Sequence, residues 1–196
     1  MSALFSTVWE GLSGWAWEWL VYLGLAQKEA TIVLVGLDNA GKTTLLNRLK
    51  TGKVRSFTPT QRPQLEEVTV GGLSLKAWDL GGHEPVRAMW DEYLADTDGI
   101  VFLVDSCDSE RFEEAKYELQ RLLAFEDLAD TPVLILGTKA DLLQLSASGP
   151  VLVAALGLDQ PSSRRAQVHL ARCSLVLPDF DSTGLKAAFE WLSSQI

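Results

Sequence analysis

Gly36-Leu37-Asp38-Asn39-Ala40-Gly41-Lys42-Thr43 is the stretch that decides the fold. It follows the β-branched apolar run Thr31–Val35 and precedes leucines at helical spacing, a pattern that predicts a strand, a glycine loop and a helix. The glycines let backbone N–H groups wrap phosphates at a helix N-terminus, Lys42 adds a point charge, and Thr43 offers a hydroxyl to Mg²⁺. An ordinary glycine turn is the structural alternative, which the complete motif in this context disfavours. The pattern therefore predicts a nucleoside triphosphate site without specifying the base.

A second motif, Trp78-Asp79-Leu80-Gly81-Gly82-His83, ends another predicted strand. Asp79 is placed to hold Mg²⁺ directly or through water, and the backbone N–H of Gly82 is placed to contact a γ-phosphate. Alone, Asp-x-x-Gly is more often a surface turn. Together with the glycine loop, it predicts a segment that responds to the γ-phosphate.

A third motif, Thr138-Lys139-Ala140-Asp141, follows the predicted strand Val133–Leu136. Asp141 can accept hydrogen bonds from N1 and the 2-amino group of guanine, and adenine lacks both donors, so ATP would leave the carboxylate unpaired. A backbone N–H in Cys173-Ser174-Leu175 is available for the guanine oxygen. The tetrapeptide alone also fits a charge cluster at a strand end, so the choice of guanine rests mainly on Asp141.

The remaining pattern is that of an α/β protein of one domain. Leu65–Val70 and Leu73–Trp78 flank Gly71-Gly72, which predicts an antiparallel hairpin. The apolar runs IVFLV and PVLIL are typical of parallel strands buried on both faces. Val54–Pro63 is predicted to be an exposed loop. Ser109 precedes an amphipathic helix, and Asp181 or Ser182 is expected to cap a last helix.

Composition narrows the class of partner and the compartment. The net charge is −9 with a pI near 4.7, and no basic stripe is present, so nucleic acid is not expected as a partner. The two cysteines, Cys107 and Cys173, lack metal-ligand spacing and fit a reducing, cytosolic setting.

The order of these motifs resembles the Ras superfamily, and within it the Arf/Sar branch, over essentially the whole chain. The segments GLDNAGKTTLL (36–46), PTQRPQLEEVTVGG (59–72), WDLGGH (78–83) and GIVFLVD (99–105) are most similar to the Sar-type GTPases, which initiate the COPII coat at the endoplasmic reticulum. His83 favours this branch because Arf proteins usually carry glutamine there. The resemblance implies a Ras-like three-layer fold with a six-stranded, mostly parallel sheet, one antiparallel hairpin strand and helices on both faces.

The resemblance also implies individual roles. Thr60 matches the threonine that closes on Mg²⁺ and the γ-phosphate, and His83 would orient the attacking water, although a lone histidine is usually structural. The Gly71-Gly72 hairpin would shift register between nucleotide states. Mg²⁺ would be held by Thr43, Thr60 and Asp79, and GTP or GDP by Asp38, Asn39, Ala40, Gly41, Lys42, Thr43, Thr44, Thr60, Gly82, Thr138, Lys139, Asp141, Ser174, Leu175 and Val176.

Two departures from the family pattern are visible. Thr138 replaces an asparagine that in the family bonds both the base and the phosphate loop, which predicts altered nucleotide affinity or exchange. The stretch Leu142–Arg172 matches Sar-type proteins poorly and is as similar to Arf-like ones. The subfamily is therefore less firmly indicated than the family.

The N-terminal segment, residues 1–28, is expected to be a membrane-binding helix attached to a GTPase domain of residues 29–196. Its apolar residues recur at steps of three and four: Leu4, Phe5, Val8, Trp9, Leu12 and Ala16. Glu18 interrupts the following apolar run, which favours lying in the membrane interface over spanning it. No Lys or Arg precedes Lys28 and Ser2 excludes myristoylation, so apolar insertion must supply the binding. A helix packed permanently on the domain is the alternative.

These patterns predict a GTP-hydrolysing switch on the cytoplasmic face of the endoplasmic reticulum that cycles with the cytosol, with the Golgi as a second location. Expected partners are the membrane surface, a guanine nucleotide exchange factor, coat proteins and an inner coat subunit that activates hydrolysis by supplying an arginine. The alternatives are a non-hydrolysing GTP-binding scaffold, an Arf-like regulator of another compartment and a P-loop kinase, against which Asp141 argues.

Overall fold

A computed structural model of the protein describes residues 28–55, 57, 60, 62–70, 73–83, 87, 90–159, 167–177 and 183–196. The predicted membrane helix lies outside these residues, apart from Lys28, which is the first residue of a strand. Among the described helices, none has the length and apolar character needed to cross a bilayer.

Six strands form one sheet, ordered β2-β3-β1-β4-β5-β6. Their bounds are β1 (Lys28–Gly36), β2 (Gln64–Val70), β3 (Leu73–Asp79), β4 (Gly99–Asp105), β5 (Val133–Thr138) and β6 (Val168–Arg172). The β2–β3 pair is antiparallel and the other four pairs are parallel. This confirms the predicted mixed sheet, and the turn residues Gly71 and Gly72 lie outside the described part.

Helices cover both faces of the sheet. They are α1 (Lys42–Thr51), α2 (Trp90–Leu94), α3 (Phe112–Leu123), α4 (Gly149–Ala155) and α5 (Leu185–Gln195). Apolar residues of α1 and α5 pack on one face, and those of α2, α3 and α4 pack on the other. Strands β4 and β5 are buried on both faces, which explains why their sequences are continuous apolar runs. The predicted three-layer arrangement is confirmed.

The start of α5 differs from the prediction. Its N-cap position is Gly184, at φ +79°, and not the predicted Asp181 or Ser182. A Cβ on Gly184 would lie 2.4 Å from the carbonyl oxygen of Arg172, so the close approach to the end of β6 requires glycine. The Thr183 hydroxyl accepts the N–H of Leu185 at 3.2 Å instead.

The parallel topology places the loops that follow β1, β3, β4, β5 and β6 at one edge of the sheet. In open α/β sheets, ligands bind at the carboxyl ends of the strands. All three sequence motifs lie at the ends of these strands and in the loops that follow. The fold thus brings together segments that are far apart in the chain.

Candidate functional site

The glycine loop after β1 closes around the ammonium group of Lys42. Lys42 Nζ donates to the carbonyl oxygens of Gly36 and Leu37, at 2.8 Å each, and burial lowers the pKa of this amine to about 8. Asn39 and Gly41 adopt positive φ angles of 61° and 97°. The N-cap of helix α1 is Gly41, which has no side chain to cap the first-turn N–H groups. This residue therefore leaves them available to an anion.

Three oxygen-bearing side chains converge beside this loop. Thr43 Oγ1 donates to Asp79 Oδ2 at 2.7 Å, and Thr60 Oγ1 lies 2.8 Å from Thr43 Oγ1 and 3.2 Å from Asp79 Oδ2. The Asp79 carboxyl is fully buried, and burial raises its pKa. Its Oδ1 atom has no hydrogen-bond partner among the described residues, so this buried oxygen is available to a bound ion.

This oxygen set fits Mg²⁺, which prefers carboxylate and hydroxyl oxygens and completes its shell with phosphate oxygens and water. Within the described residues, no group of three or more His, Cys, Asp and Glu side chains is placed to hold a metal. A metal bound by Thr43, Thr60 and Asp79 would therefore need further oxygens from a phosphate ligand or from water.

The loop after β3 lies against the glycine loop. A Cβ on Gly82 would be 2.2 Å from the backbone nitrogen of Asp38, so the two backbones are in direct contact. His83 follows, is partly buried, and its carbonyl oxygen accepts the N–H of Arg87 at 3.1 Å. Gly82 therefore lies against the glycine loop at the phosphate end, and His83 adjoins it in the chain.

The residues after β5 and β6 form the opposite end of the site. The buried Thr138 hydroxyl lies 2.9 Å from the Ala40 carbonyl oxygen and 3.1 Å from that of Val104, and shares its one hydrogen between them. Thr138 therefore links the end of β5 to the glycine loop. In the family that this sequence resembles, an asparagine makes that link. Lys139 adopts φ +59°, and its ammonium pairs with Asp105 at 2.5 Å.

One cavity of about 520 Å³ joins both ends. Its lining includes the predicted residues Asp38, Asn39, Ala40, Gly41, Lys42, Thr43, Thr44, Thr60, Gly82, Thr138, Lys139, Asp141, Leu175 and Val176. Of the other predicted residues, Ser174, Asp79 and His83 lie beside the cavity, outside its lining as described. The structure thus brings the predicted set together.

Sequence reasoning missed five residues that line the cavity: Val54, Arg55, Phe57, Gly81 and Leu142. Their positions offered some signal, since Val54, Arg55 and Phe57 precede Thr60 in the predicted loop, and Gly81 and Leu142 adjoin motif residues. Their side chains carry no pattern that distinguishes them from other loop residues.

Sequence reasoning also missed a network of ion pairs behind the phosphate end. Arg111 pairs with Asp38 and with Glu114, at 2.8 Å each. Glu114 also pairs with Arg87 at 2.6 Å, and Arg87 Nε donates to the carbonyl oxygen of Gly82 at 2.7 Å. The network links the glycine loop to the loop after β3 through side chains of α3 and its preceding turn.

The comparisons with known proteins agree with this geometry. The model of the ADP-ribosylation factor family matches residues 17–196. The chain belongs to this family. Its relatives include the small COPII coat GTPase SAR1 of Giardia intestinalis, with 42% identity over 191 residues that cover 95% of this chain and all of that protein. The predicted membership in the Arf/Sar branch of small GTPases is confirmed.

Arf-like members of the family are also similar to this chain. ADP-ribosylation factor-like protein 3 of Chlamydomonas reinhardtii is 37% identical over 175 residues, which cover 88% of this chain and 95% of that protein. Among solved structures, the Arl6 BBS3 small GTPase of Trypanosoma brucei, with bound nucleotide analogue GppNp, matches with a TM-score of 0.73 and 27% identity. That match covers 85% of this chain and 96% of the Trypanosoma chain.

Proposed function

We propose that this member of the Arf family is a GTP-hydrolysing switch that, when loaded with GTP, inserts its N-terminal helix into the endoplasmic reticulum membrane and initiates COPII coat assembly. The observation that carries the nucleotide part is the convergence of Thr43, Thr60 and the unbonded Asp79 oxygen beside the start of α1, where Gly41 provides no side-chain cap. The names of SAR1 relatives support the coat assignment.

Each end of the cavity has a distinct task in this proposal. Lys42 and the first-turn N–H groups of α1 bind the outer phosphates, while Thr43, Thr60 and Asp79 hold Mg²⁺. Bound there, Mg²⁺ would neutralise charge on the β- and γ-phosphates. Asp141 selects guanine through N1 and the 2-amino group.

Hydrolysis in this proposal depends on His83, which lies beside the phosphate end and orients the attacking water. Because positioning and charge stabilisation dominate phosphoryl transfer, an arginine supplied by the activating coat subunit accelerates the step. Single-turnover GTP hydrolysis with that subunit tests the assignment: His83→Ala is expected to lose most of the activation. Equal rates for wild type and His83→Ala would contradict it and favour the non-hydrolysing scaffold.

Membrane attachment is proposed from the apolar periodicity of residues 1–25. Each large apolar side chain buried in the interface contributes on the order of 1.5–3 kcal/mol, so several tryptophans and leucines suffice without lipidation. Flotation with liposomes, for chains with and without residues 1–25, is expected to show GTP-dependent binding only with the segment present. Equal flotation in the GDP and GTP states would rule out the switch.

A second candidate is an Arf-like regulator of another compartment, favoured by the Chlamydomonas relative and the Trypanosoma structure. Reconstitution on liposomes separates the two. Recruitment of COPII subunits by the GTP-loaded chain supports the Sar assignment, and GTP-dependent membrane binding without coat recruitment supports the Arf-like one.

A further inference from the structure

A buried arginine of α1 reaches the loop at the far end of the cavity. Arg48 lies 4% exposed, and its Nη1 donates to the carbonyl oxygen of Leu175 at 2.6 Å. Its Nη2 donates to the carbonyl oxygen of Leu177 at 2.5 Å. The guanidinium fork thus binds two backbone carbonyls of one loop, and such charge-assisted pairs are stronger than neutral hydrogen bonds.

The same loop is held on its other side by Ser174 and Gly41. Ser174 Oγ accepts the N–H groups of Val176 and Leu177, at 3.2 and 3.3 Å. A Cβ on Gly41 would lie 2.8 Å from Cδ1 of Leu175, so the loop packs directly on the glycine loop. With Arg48 on its carbonyl side, this loop has little freedom to move away from the cavity.

Peptide geometry connects these carbonyl bonds to the cavity. In a trans peptide, a C=O and the following N–H point in opposite directions. Binding of the Leu175 carbonyl to Arg48 therefore directs the N–H of Val176 away from α1 and toward Ser174 Oγ, and both Leu175 and Val176 line the cavity. Arg48 fixes the orientation of a peptide plane at the end where a purine base is proposed to sit.

We propose that Arg48 is a positioning residue for the 6-oxo group of the base. It holds the backbone of residues 175–177 so that the N–H of Leu175 meets that oxygen, while the N–H groups of Val176 and Leu177 donate to Ser174 Oγ. It also ties this loop to the helix that begins with Lys42 and Thr43. One rigid helix thereby sets the spacing between the phosphate end and the base end. The inference rests on the proposed guanine nucleotide site and adds the residue that shapes its base end.

Binding of two purine nucleotides to Arg48→Met tests this role. Methionine retains an apolar stem and removes every donor. GDP affinity is expected to fall by up to about tenfold, the upper end of what one neutral backbone hydrogen bond to the 6-oxo group contributes. The affinity for 2-aminopurine riboside diphosphate, which keeps the 2-amino group but lacks the 6-oxo group, is expected to change less than twofold.

Lys50→Met is the matched control, because Lys50 lies on the same helix and pairs with Glu66 instead of the loop. It is expected to leave both affinities unchanged. Arg48→Lys, which retains a cation but not the fork, is expected to give a smaller GDP penalty than Arg48→Met, and it serves if the methionine variant does not fold.

Distinct outcomes separate this inference from the proposed function. If Arg48→Met, or Arg48→Lys in its place, weakens both nucleotides by the same factor, the arginine acts through general stability and the inference is overturned. GDP binding unaltered by either substitution also overturns it. If the wild type binds no GDP, the proposed function itself fails.

Discussion

At the scale of single residues, Thr138 shows how one hydroxyl can connect two parts of a site. It lies at the end of β5, is fully buried, and is shared between the carbonyls of Ala40 and Val104. The sequence identified Thr138 as a departure from the family pattern, but could not indicate these acceptors, because hydrogen-bond partners distant in the chain have no local signature.

Replacing Thr138 with valine keeps the shape and removes the donor. The buried Ala40 carbonyl then lacks this bond, so the free energy of unfolding is expected to fall by about 1–3 kcal/mol. GDP is also expected to dissociate faster, since the glycine loop loses its link to β5. Urea denaturation and the release of a fluorescent GDP analogue measure the two effects.

Thr97→Val is the matched control for that experiment. Thr97 Oγ1 likewise lies near two carbonyl oxygens, those of Thr31 and Gly99, at 3.0 and 2.9 Å, but away from the cavity lining. It is expected to lose stability without faster GDP release. Equal release rates for the two variants would show that Thr138 has no specific link to nucleotide binding.

Substitution of Asp79 tests whether this carboxylate binds a metal ion that retains the nucleotide. Asp79→Asn is nearly isosteric but removes the negative charge that a magnesium ion needs. Chelation with EDTA is expected to accelerate GDP release from the wild type and to leave release from Asp79→Asn almost unchanged. An equal response to EDTA in both proteins would exclude Asp79 as a ligand of a metal that retains the nucleotide.

At the scale of secondary-structure elements, the sequence was informative where one local signal decided the outcome. The Gly-Gly hairpin and the apolar runs of β4 and β5 predicted antiparallel and parallel pairing correctly, because side-chain periodicity reports burial directly. It was wrong for the cap of α5, where the approach of Gly184 to Arg172 overrides the local preference for Asp or Ser.

The ion pairs of α3 give a pH dependence to stability. Hydrogen bonds from Arg111, and then from Arg87, lower the pKa of Glu114 below its ordinary value of 4.5. Such a group stabilises the folded chain above its unfolded pKa, and the contribution disappears as the pH falls through the lower folded value. Between about pH 5 and pH 3, Glu114→Gln is therefore expected to lose less stability than the wild type.

Denaturant unfolding at several pH values measures this difference. Glu113→Gln is a suitable control, because Glu113 is exposed and adjoins Glu114 on the same helix. It is expected to follow the wild-type profile. Parallel profiles for Glu114→Gln and wild type would show that the two arginines do not stabilise the carboxylate in solution.

At the scale of the whole molecule, the sequence predicted most of the fold and the cavity lining. Each motif follows a predicted strand, and in this topology the carboxyl ends of those strands meet at one side of the sheet. It did not predict Arg48, Arg87 or Arg111, whose partners come from other elements. An isolated basic residue on a helix resembles any solvated surface residue, and its burial follows only from packing in three dimensions.

The cavity is lined by segments from both halves of the chain, so ligand binding should stabilise the molecule as a unit. At a GDP concentration near a thousand times its dissociation constant, binding adds about 4 kcal/mol to the free energy of unfolding. For a domain of this size, the melting temperature is then expected to rise by roughly 8–16 °C.

Differential scanning calorimetry with Mg²⁺ measures this rise, and ADP at the same concentration is the control. ADP is expected to leave the melting temperature nearly unchanged, because it cannot satisfy Asp141. A rise of the same size with ADP would contradict guanine selectivity and favour the P-loop kinase alternative.

The contact between Gly82 and the glycine loop has a mechanical consequence. Two main chains touch there, and a side-chain rotation cannot relieve a clash between main chains. If one loop moves toward the other, the whole second loop must move with it. Small independent shifts of either loop are therefore sterically blocked, and the two loops are expected to change position together, between discrete arrangements. The absence of a side chain at Gly82 thus couples the movement of the two loops.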